Sequence, residues 1–348
     1  MEISKEAIQD FLRQQFGKYA RLQNIEKLGT GWHGLGSRVT FTIKGEKRKV
    51  VLRTINSIGF GHDGPWDRAK VLISQHQHSK IPNHIHSLGI GGINGNQSLS
   101  VGDCSEFFQI VEEVEGNWYT DDLNRMDQGN FLPEDLKKAE ILAEYLVELH
   151  SQQFKGDPDI AKSLRLRHTR DCIGQSEMLM GVLDTYPEKV TFATKQDLLN
   201  LVKAAIDFRA KMPEPRLVRM HGDFHPGNIV WEGEKLTVLD ASRFHWGDPA
   251  DDVTCLAINY LWRGIVGEPQ KMYHKLFKTF WDRYQAIRKD PTLEKIAPLF
   301  FAFRTSVVCH PVFYPNQSDA TRKKMLDFAM TCLRDEQFYP DNLQRYFE

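Results

Sequence analysis

Apolar residues recur along this chain with two alternating periods, and the period assigns most of its elements. Ile8, Leu12 and Phe16 follow one another at four-residue spacing with Ser4 as candidate N-cap, which predicts an amphipathic helix over 4–16. A short strand is expected at Asn24–Leu28. The alternation at Val39–Ile43 and the run Lys49–Thr54 predict two more strands on either side of the turn Lys44-Gly45-Glu46. Pro65 suits a first helical turn, the glycine-rich stretch Gly89–Asn96 reads as a flexible turn region, and Phe107–Glu112 is an apolar strand. The clearest helix runs from Pro133 to Ser151, where Leu136, Ala139, Leu142, Ala143, Leu146 and Leu149 form one stripe behind a first turn of proline and acids. Residues 152–215 read as mostly helical, broken at Lys155–Pro158, with a helix at Gln196–Lys211 that Pro213 and Pro215 end. A strand at Leu217–Met220 follows. Downstream lie helical segments at Val253–Ile265, Lys271–Arg288 and Pro298–Val308.

Between the last strand and those helices, the twenty residues from His221 to Asp240 carry the candidate chemistry. Asp223 sits in a tight loop bounded by glycine and proline, where a carboxylate can be held facing a substrate hydroxyl. Asn228 opens the apolar run Ile229-Val230-Trp231; after a turn at Glu232-Gly233-Glu234, the strand Leu236–Leu239 ends at Asp240. A hairpin brings its outer ends together, so Asn228 and Asp240 can share one oxygen-loving cation. Phosphoryl transfer asks a protein for a base or orienting carboxylate and metal ligands, with little covalent help. Taken singly, the three residues also read as a loop cap, a turn residue and a strand-end cap.

The pattern His-x-Asp-x4-Asn, a short hairpin and then Asp resembles the catalytic and metal-binding loops of the aminoglycoside phosphotransferase/choline kinase family. Gly247-Asp248-Pro249-Ala250-Asp251-Asp252 matches that family's Gly-Asp-Pro-x-x-Asp. The resemblance implies an α+β fold of the two-lobed protein-kinase-like kind. Residues 1–116 would be a nucleotide-binding lobe with an antiparallel sheet and a helix, and 117–348 a larger, mainly helical lobe that binds the acceptor. It implies ATP and Mg²⁺ as cofactors, with Asp223 as catalytic residue and Asn228 and Asp240 as metal ligands. Gly29, Gly31, Gly34 and Gly36, in a loop followed by a strand rather than a Rossmann helix, would bring backbone amides to the phosphates. Arg53 stands where the family carries lysine, a departure because the two cations differ in shape and hydration; the nearest acid to pair with it is Asp67. Backbone groups around Glu112 and Val114 would bond adenine. The resemblance makes His150 and Asp252 structural, and Ala241-Ser242-Arg243 replaces the family's usual aromatic-acid pair, which bears on any second metal.

Composition narrows the partners. With 348 residues the chain has room for about two domains. A net charge of -1 supplies no electrostatic footprint for nucleic acid or an anionic membrane. No leader-like segment and no apolar stretch of roughly 20 residues occurs. Cys104, Cys172, Cys255, Cys309 and Cys332 are scattered without a Cys-x-x-Cys, as in a reduced, cytoplasmic chain. His76, His78, His84 and His86 lie at i,i+2 spacings that do not favour a shared metal and read as solvated or hydrogen-bonded. Phe277, Phe280, Trp281 and Tyr284 read as core, with an aromatic acceptor pocket as the other reading. The expected function is ATP-dependent transfer of the γ-phosphate to a hydroxyl of a small molecule (an aminoglycoside, a choline-like compound, an amino-alcohol or a sugar). The alternatives are a catalytically weak nucleotide-binding regulatory module and, ranked lower for want of a long activation segment, a protein Ser/Thr kinase. The acceptor, ATP against GTP, and oligomeric state stay open.

Overall fold

The computed structural model of the chain describes residues 3–30, 34–56, 62, 64–94, 97–98, 104–175, 177–241, 243–265 and 270–347. The chain divides into two compact units. Met1–Gly116 and Val230–Arg243 form the first, Asn117–Ile229 and Phe244–Glu348 the second.

The first unit opens with α1 (Lys5–Phe16), whose N-terminal amide at Ala7 is capped by the Ser4 hydroxyl at 3.2 Å. Next come β1 (Ala20–Thr30), β2 (Gly34–Ile43), β3 (Glu46–Ile55), α2 (Pro65–His78), β4 (Ser87–Asn94), the two-residue β5 (Gln97–Ser98) and β6 (Glu106–Glu112). They pair antiparallel throughout in the order β1-β2-β3-β6-β4-β5. Lys44 and Gly45, both at positive φ, make the two-residue turn that fits the strand twist between β2 and β3. β6 shows why its sequence is apolar without alternation. Phe108 and Ile110 face the α1 side, packed with Phe11 and Leu12, whereas Phe107 points the other way, into a cluster with Leu72 and Ala69 of α2. A strand buried on both faces has no polar side to show.

Two elements depart from the sequence reading. β1 extends well beyond Asn24–Leu28 because it pairs with β2 from Ala20 to Thr30. Of the glycine-rich stretch at 89–96, residues 89–94 are not a turn region but part of β4, hydrogen-bonded to β6; Gly95 and Asn96 lie outside the described residues. Its glycines are packing devices: a Cβ on Gly91 would run into the Phe108 ring, and one on Gly92 would meet Cys104. Where the chain returns to this unit, Val238 accepts from the Ile85 amide at 3.2 Å and donates to Asn83 O at 2.9 Å, stitching the second hairpin strand to residues 83–85.

The second unit holds β7 (Asn117–Trp118), α3 (Tyr119–Asp127), α4 (Pro133–Ser151), α5 (Pro158–Gly174), α6 (Leu179–Asp184), α7 (Lys195–Lys211) and β8 (Val218–Arg219). The chain then passes through the hairpin β9 (Ile229–Glu232) and β10 (Lys235–Val238), and returns with β11 (Trp246–Gly247), α8 (Ala250–Arg263), α9 (Gln270–Arg288), α10 (Leu293–Val308), α11 (Asp319–Arg334) and α12 (Gln344–Phe347). α4 packs on α9, and α8 on α9 and α10. The aromatic stripe of α9 is core: Phe277, Phe280, Trp281 and Tyr284 are all buried, and Phe338 meets the rings of Phe277 and Trp281 while itself packing on Phe301 and Phe328. α10 begins five residues before the Pro298 at which the sequence reading started it. The carbonyl of Glu294, which an amide at position 298 would have bonded, accepts from Phe338 N at 2.9 Å instead, so the proline leaves no orphan. No helix among the described residues is long and apolar enough to cross a membrane.

Gly91→Ala tests the packing account of β4. Overpacking against Phe108 is expected to lower stability by about 1–3 kcal/mol, read from the urea midpoint, whereas Gly45→Ala, with open space around it, carries only the cost of its backbone conformation.

Candidate active site

In the second unit, β8 and β11 pair antiparallel, Arg219 opposite Trp246, and deliver the loop that begins at His221. Its backbone is held from below. The fully buried Asp252 carboxylate accepts from the amides of His221 and Gly222, both at 2.8 Å, and from His150 Nε2 at 3.1 Å. The Tyr284 hydroxyl reaches His150 Nδ1 at 2.9 Å; by donating there it leaves the imidazole proton on Nε2, facing Asp252. Burial pushes the Asp252 carboxyl up, but the hydrogen bond from His150, the nearby His150 and His221 rings and the His221 amide outweigh it and hold it below the usual carboxylate range. His150 and Asp252 thus do structural work for the loop.

Asp223 follows directly. Its carbonyl oxygen accepts from His225 N at 2.9 Å and Asn228 Nδ2 at 3.0 Å, so the next turn, a 3-10 segment at Pro226–Asn228, is tied back onto it. Since the Asn228 amide nitrogen is spent on that bond, the atom it presents elsewhere is the oxygen Oδ1, a hard donor of the kind Mg²⁺ takes. The Asp223 side chain, 17% exposed, receives Arg304 Nη1 on Oδ1 at 3.0 Å. Arg304, on α10, also donates through Nη2 to Gly222 O at 3.3 Å and Asp251 Oδ1 at 2.7 Å. Sequence reasoning missed it. The signal was there, a lone cation inside the apolar run Phe300-Phe301-Ala302-Phe303, since a buried charge needs partners.

The first unit holds the other expected residues. Gly36 lies opposite Arg53 in the β2–β3 ladder, and Arg53 opposite Gln109 in β6, which sets the cation at the middle of the sheet beside the glycine strand. Gly29 is paired with Gly36 and Gly34 with Ile55; Gly31 lies outside the described residues. A Cβ on Gly34 would collide with Thr54 O, so glycine there is a requirement of strand approach. Glu112 closes β6, bonded to His86 through its amide and its carboxylate, and Val114 follows in the chain. Arg53 does not pair with Asp67, whose carboxylate accepts from Gly64 N at 3.2 Å and caps its own helix. The partner of Arg53 is Asp240: both guanidinium Nη atoms reach the carboxylate, Nη2 to Oδ2 at 2.6 Å. Asp240 sits at φ 60, a left-handed conformation uncommon for a residue with a side chain, which fixes where its carboxylate leaves the backbone. His84 Nε2 supports this corner by accepting from Ala241 N at 3.1 Å, and His76 Nδ1 lies 2.8 Å from Ser87 Oγ. Among the described residues no group of three or more His, Cys, Asp or Glu is arranged to hold a metal. Of the two expected metal donors, the Asp240 carboxylate lies in this unit and the Asn228 amide oxygen in the second, both hard oxygen donors of the kind Mg²⁺ takes.

Residues 86–288, more than half of the chain, match the model of the phosphotransferase enzyme family. The chain belongs to that family. Solved structures agree on the fold. A thermostable mutant of aminoglycoside phosphotransferase APH(4)-Ia, in a ternary complex with ADP and hygromycin B, superposes with TM-score 0.53 at 16% identity, covering 93% of this chain and 98% of its own. The amicoumacin kinase hAmiN, in complex with AMP-PNP, Ca²⁺ and Ami, gives TM-score 0.58 at 12% identity, with 98% and 97% covered. LicA in complex with AMP gives 0.52 at 10%, with 94% and 97% covered. No curated protein matches the sequence. This phosphotransferase therefore has the protein-kinase-like α+β fold that the sequence resemblance implied, an antiparallel sheet unit and a mainly helical one.

The Asp252 anchor in this phosphotransferase makes a pH-dependent prediction. A depressed carboxyl stabilises the fold fully above about pH 5 and ceases to do so as the pH falls through its folded value, below the ordinary aspartate value of about 3.9. Asp252→Asn is expected to cost about 3–5 kcal/mol near neutrality, with the melting-temperature gap to the wild type closing toward pH 3. A gap independent of pH would assign the loss to geometry instead of charge.

Proposed function

We propose that this phosphotransferase is an ATP-dependent kinase that moves the γ-phosphate to a hydroxyl of a small molecule. The observation that carries the reading is the catalytic loop: Asp223 is partly exposed while its backbone is tied at both sides, by Asp252 through His221 and Gly222 and by Asn228 through the Asp223 carbonyl. A carboxylate held in this way can orient an acceptor hydroxyl and take its proton as the oxygen bonds to the γ-phosphorus, while the bridging P–O bond to the β-phosphate breaks and ADP leaves with the electron pair. Asn228 and Asp240 are the residues assigned to Mg²⁺, which when bound supplies charge neutralisation on the phosphates. Amides of the Gly29–Gly36 stretch and the Arg53 guanidinium are assigned to the phosphates, and backbone groups at Glu112 and Val114 to the adenine.

For Arg53 this assignment includes an exchange. Its guanidinium now holds Asp240, and it would release that carboxylate in favour of phosphate oxygens of equal bidentate fit. The named neighbours act on, or are solved with, aminoglycosides and amicoumacin; the acceptor class proposed here is the same broad one, a hydroxyl-bearing amine, amino-alcohol or sugar, and the proposed setting is cytoplasmic. The Arg53–Asp240 pair also favours a second reading, a nucleotide-binding module with weak turnover, because the carboxylate assigned to the metal is already neutralised.

ADP release from MgATP across a panel of hydroxyl-bearing metabolites and antibiotics separates the two. A kinase shows acceptor-dependent release, and Asp223→Asn lowers kcat by about 10²–10⁴-fold while nucleotide affinity stays within a few-fold. Full activity in that variant removes Asp223 from the chemistry. Asp240→Ala is expected to abolish the Mg²⁺ dependence of nucleotide binding, and unchanged dependence excludes Asp240 as a ligand. Nucleotide binding with no release for any acceptor selects the module.

A further inference from the structure

Arg304 is 3% exposed and lies on a helix that is apolar on nearly every side. Taking an ion out of water costs several kcal/mol unless partners replace the solvent, and the partners here are specific. Nη1 bonds Asp223 Oδ1 at 3.0 Å; Nη2 bonds both Gly222 O at 3.3 Å and Asp251 Oδ1 at 2.7 Å. The guanidinium lies over the Phe303 ring, 4.4 Å from its centroid, so its plane is set by packing as well as by its bonds. A counter-ion for Asp251 alone would need no contact with the loop, and Asp251 already receives His168 Nε2 on its other oxygen at 3.2 Å. Burial works against the charge on Arg304, but Cys255, Asp251 and Asp223 outweigh it and push its pKa up, so the group is a permanent cation.

We propose that Arg304 is a positioning residue for phosphoryl transfer: its two-nitrogen fork sets the rotation of the Asp223 carboxylate relative to the Gly222–Asp223 backbone. The assignment rests on the kinase reading of Asp223. Asp252 and Asn228 fix the loop backbone without touching the Asp223 carboxylate oxygens; His225 Nε2 lies 3.8 Å from Oδ2 and Cys255 Sγ 3.9 Å from Oδ1, whereas Arg304 bonds Oδ1 at 3.0 Å and references it to a carbonyl one residue away. Lysine at 304 would keep the positive charge but has one nitrogen where the arginine uses two. It cannot span Oδ1 of Asp223 and the Gly222 and Asp251 oxygens in the same fixed geometry. Charge and orientation are therefore separable at this position.

The test uses the full-length chain and slow MgATP hydrolysis by water under single-turnover conditions, which needs no identified acceptor. Arg304→Lys is expected to bind nucleotide within about twofold of wild type yet to turn over about 10²-fold more slowly, the scale of a misplacement of about 1 Å. In an Asp223→Asn background the same substitution is expected to have no further effect on rate, because Arg304 acts through Asp223. Arg216→Lys, which disturbs the half-buried pair with Asp248 without touching the loop, serves as the stability control; it lowers the melting temperature and leaves the rate within about twofold. Wild-type turnover in a folded Arg304→Lys, or a rate loss that adds in full to that of Asp223→Asn, overturns the assignment. So does a chain that fails to fold with either Lys or Gln at 304, which would make the arginine a structural counter-ion only. If Asp223→Asn itself hydrolyses MgATP at the wild-type rate, or the wild type does not hydrolyse it, the kinase reading fails and Arg304 loses its role with it.

Discussion

Two backbone amides and one buried carboxylate support everything the second unit offers to chemistry. Asp252 is removed from water and takes the His221 and Gly222 amides at equal distance, with His150 and Tyr284 relayed behind it. A buried carboxylate tolerates few arrangements, since each missing partner costs the desolvation of a charged oxygen. The loop is therefore held in one conformation by what would be lost on leaving it. Gly222 permits the conformation, at φ 84, and Asn228 closes the loop from its far side.

The neighbours of Asp252 in sequence repeat the device in other directions. Asp248 holds Arg216 at 2.6 Å and caps the Ala250 amide at 2.9 Å; Asp251 holds Arg304 and His168. All three acids sit at or just before the first turn of α8, where the helix dipole favours negative charge. Each is buried and each faces a different partner. One short segment thus secures the loop backbone, the cation against Asp223 and the strand leading into the loop.

In the first unit the corresponding constraint is the Arg53–Asp240 pair. Arginine in place of lysine changes more than a hydration preference. A planar fork can occupy both oxygens of a carboxylate at once, where an ammonium makes a point contact. Asp240 is fixed in turn by its left-handed backbone and by the Val238 and Ala241 bonds to residues 83–85. The two residues of this unit assigned to phosphate and metal therefore rest paired with each other.

What the sequence determined by itself was whatever depends on local pattern: helices from their stripes and caps, α4 to the residue (Pro133–Ser151), and the spacing that singles out Asp223, Asn228 and Asp240 as candidates. The Asp252 anchor and the structural role of His150 were legible for the same reason, since a compact motif carries them. Elements whose identity depends on a distant neighbour were not legible. The glycines of β4 look like a turn until Phe108 and Cys104 fill the space a side chain would need. Pro298 looks like a helix start until Phe338 supplies the missing donor from forty residues away. Asp67 was the nearest acid to Arg53 in sequence, but Asp240, 187 residues on, is the one the fold delivers. Arg304 reached Asp223 across 81 residues. Periodicity reports which face of an element is buried; which side chain meets a buried charge is decided only when the core closes, because electrostatic partners act through space over a few ångström and carry no fixed separation along the chain.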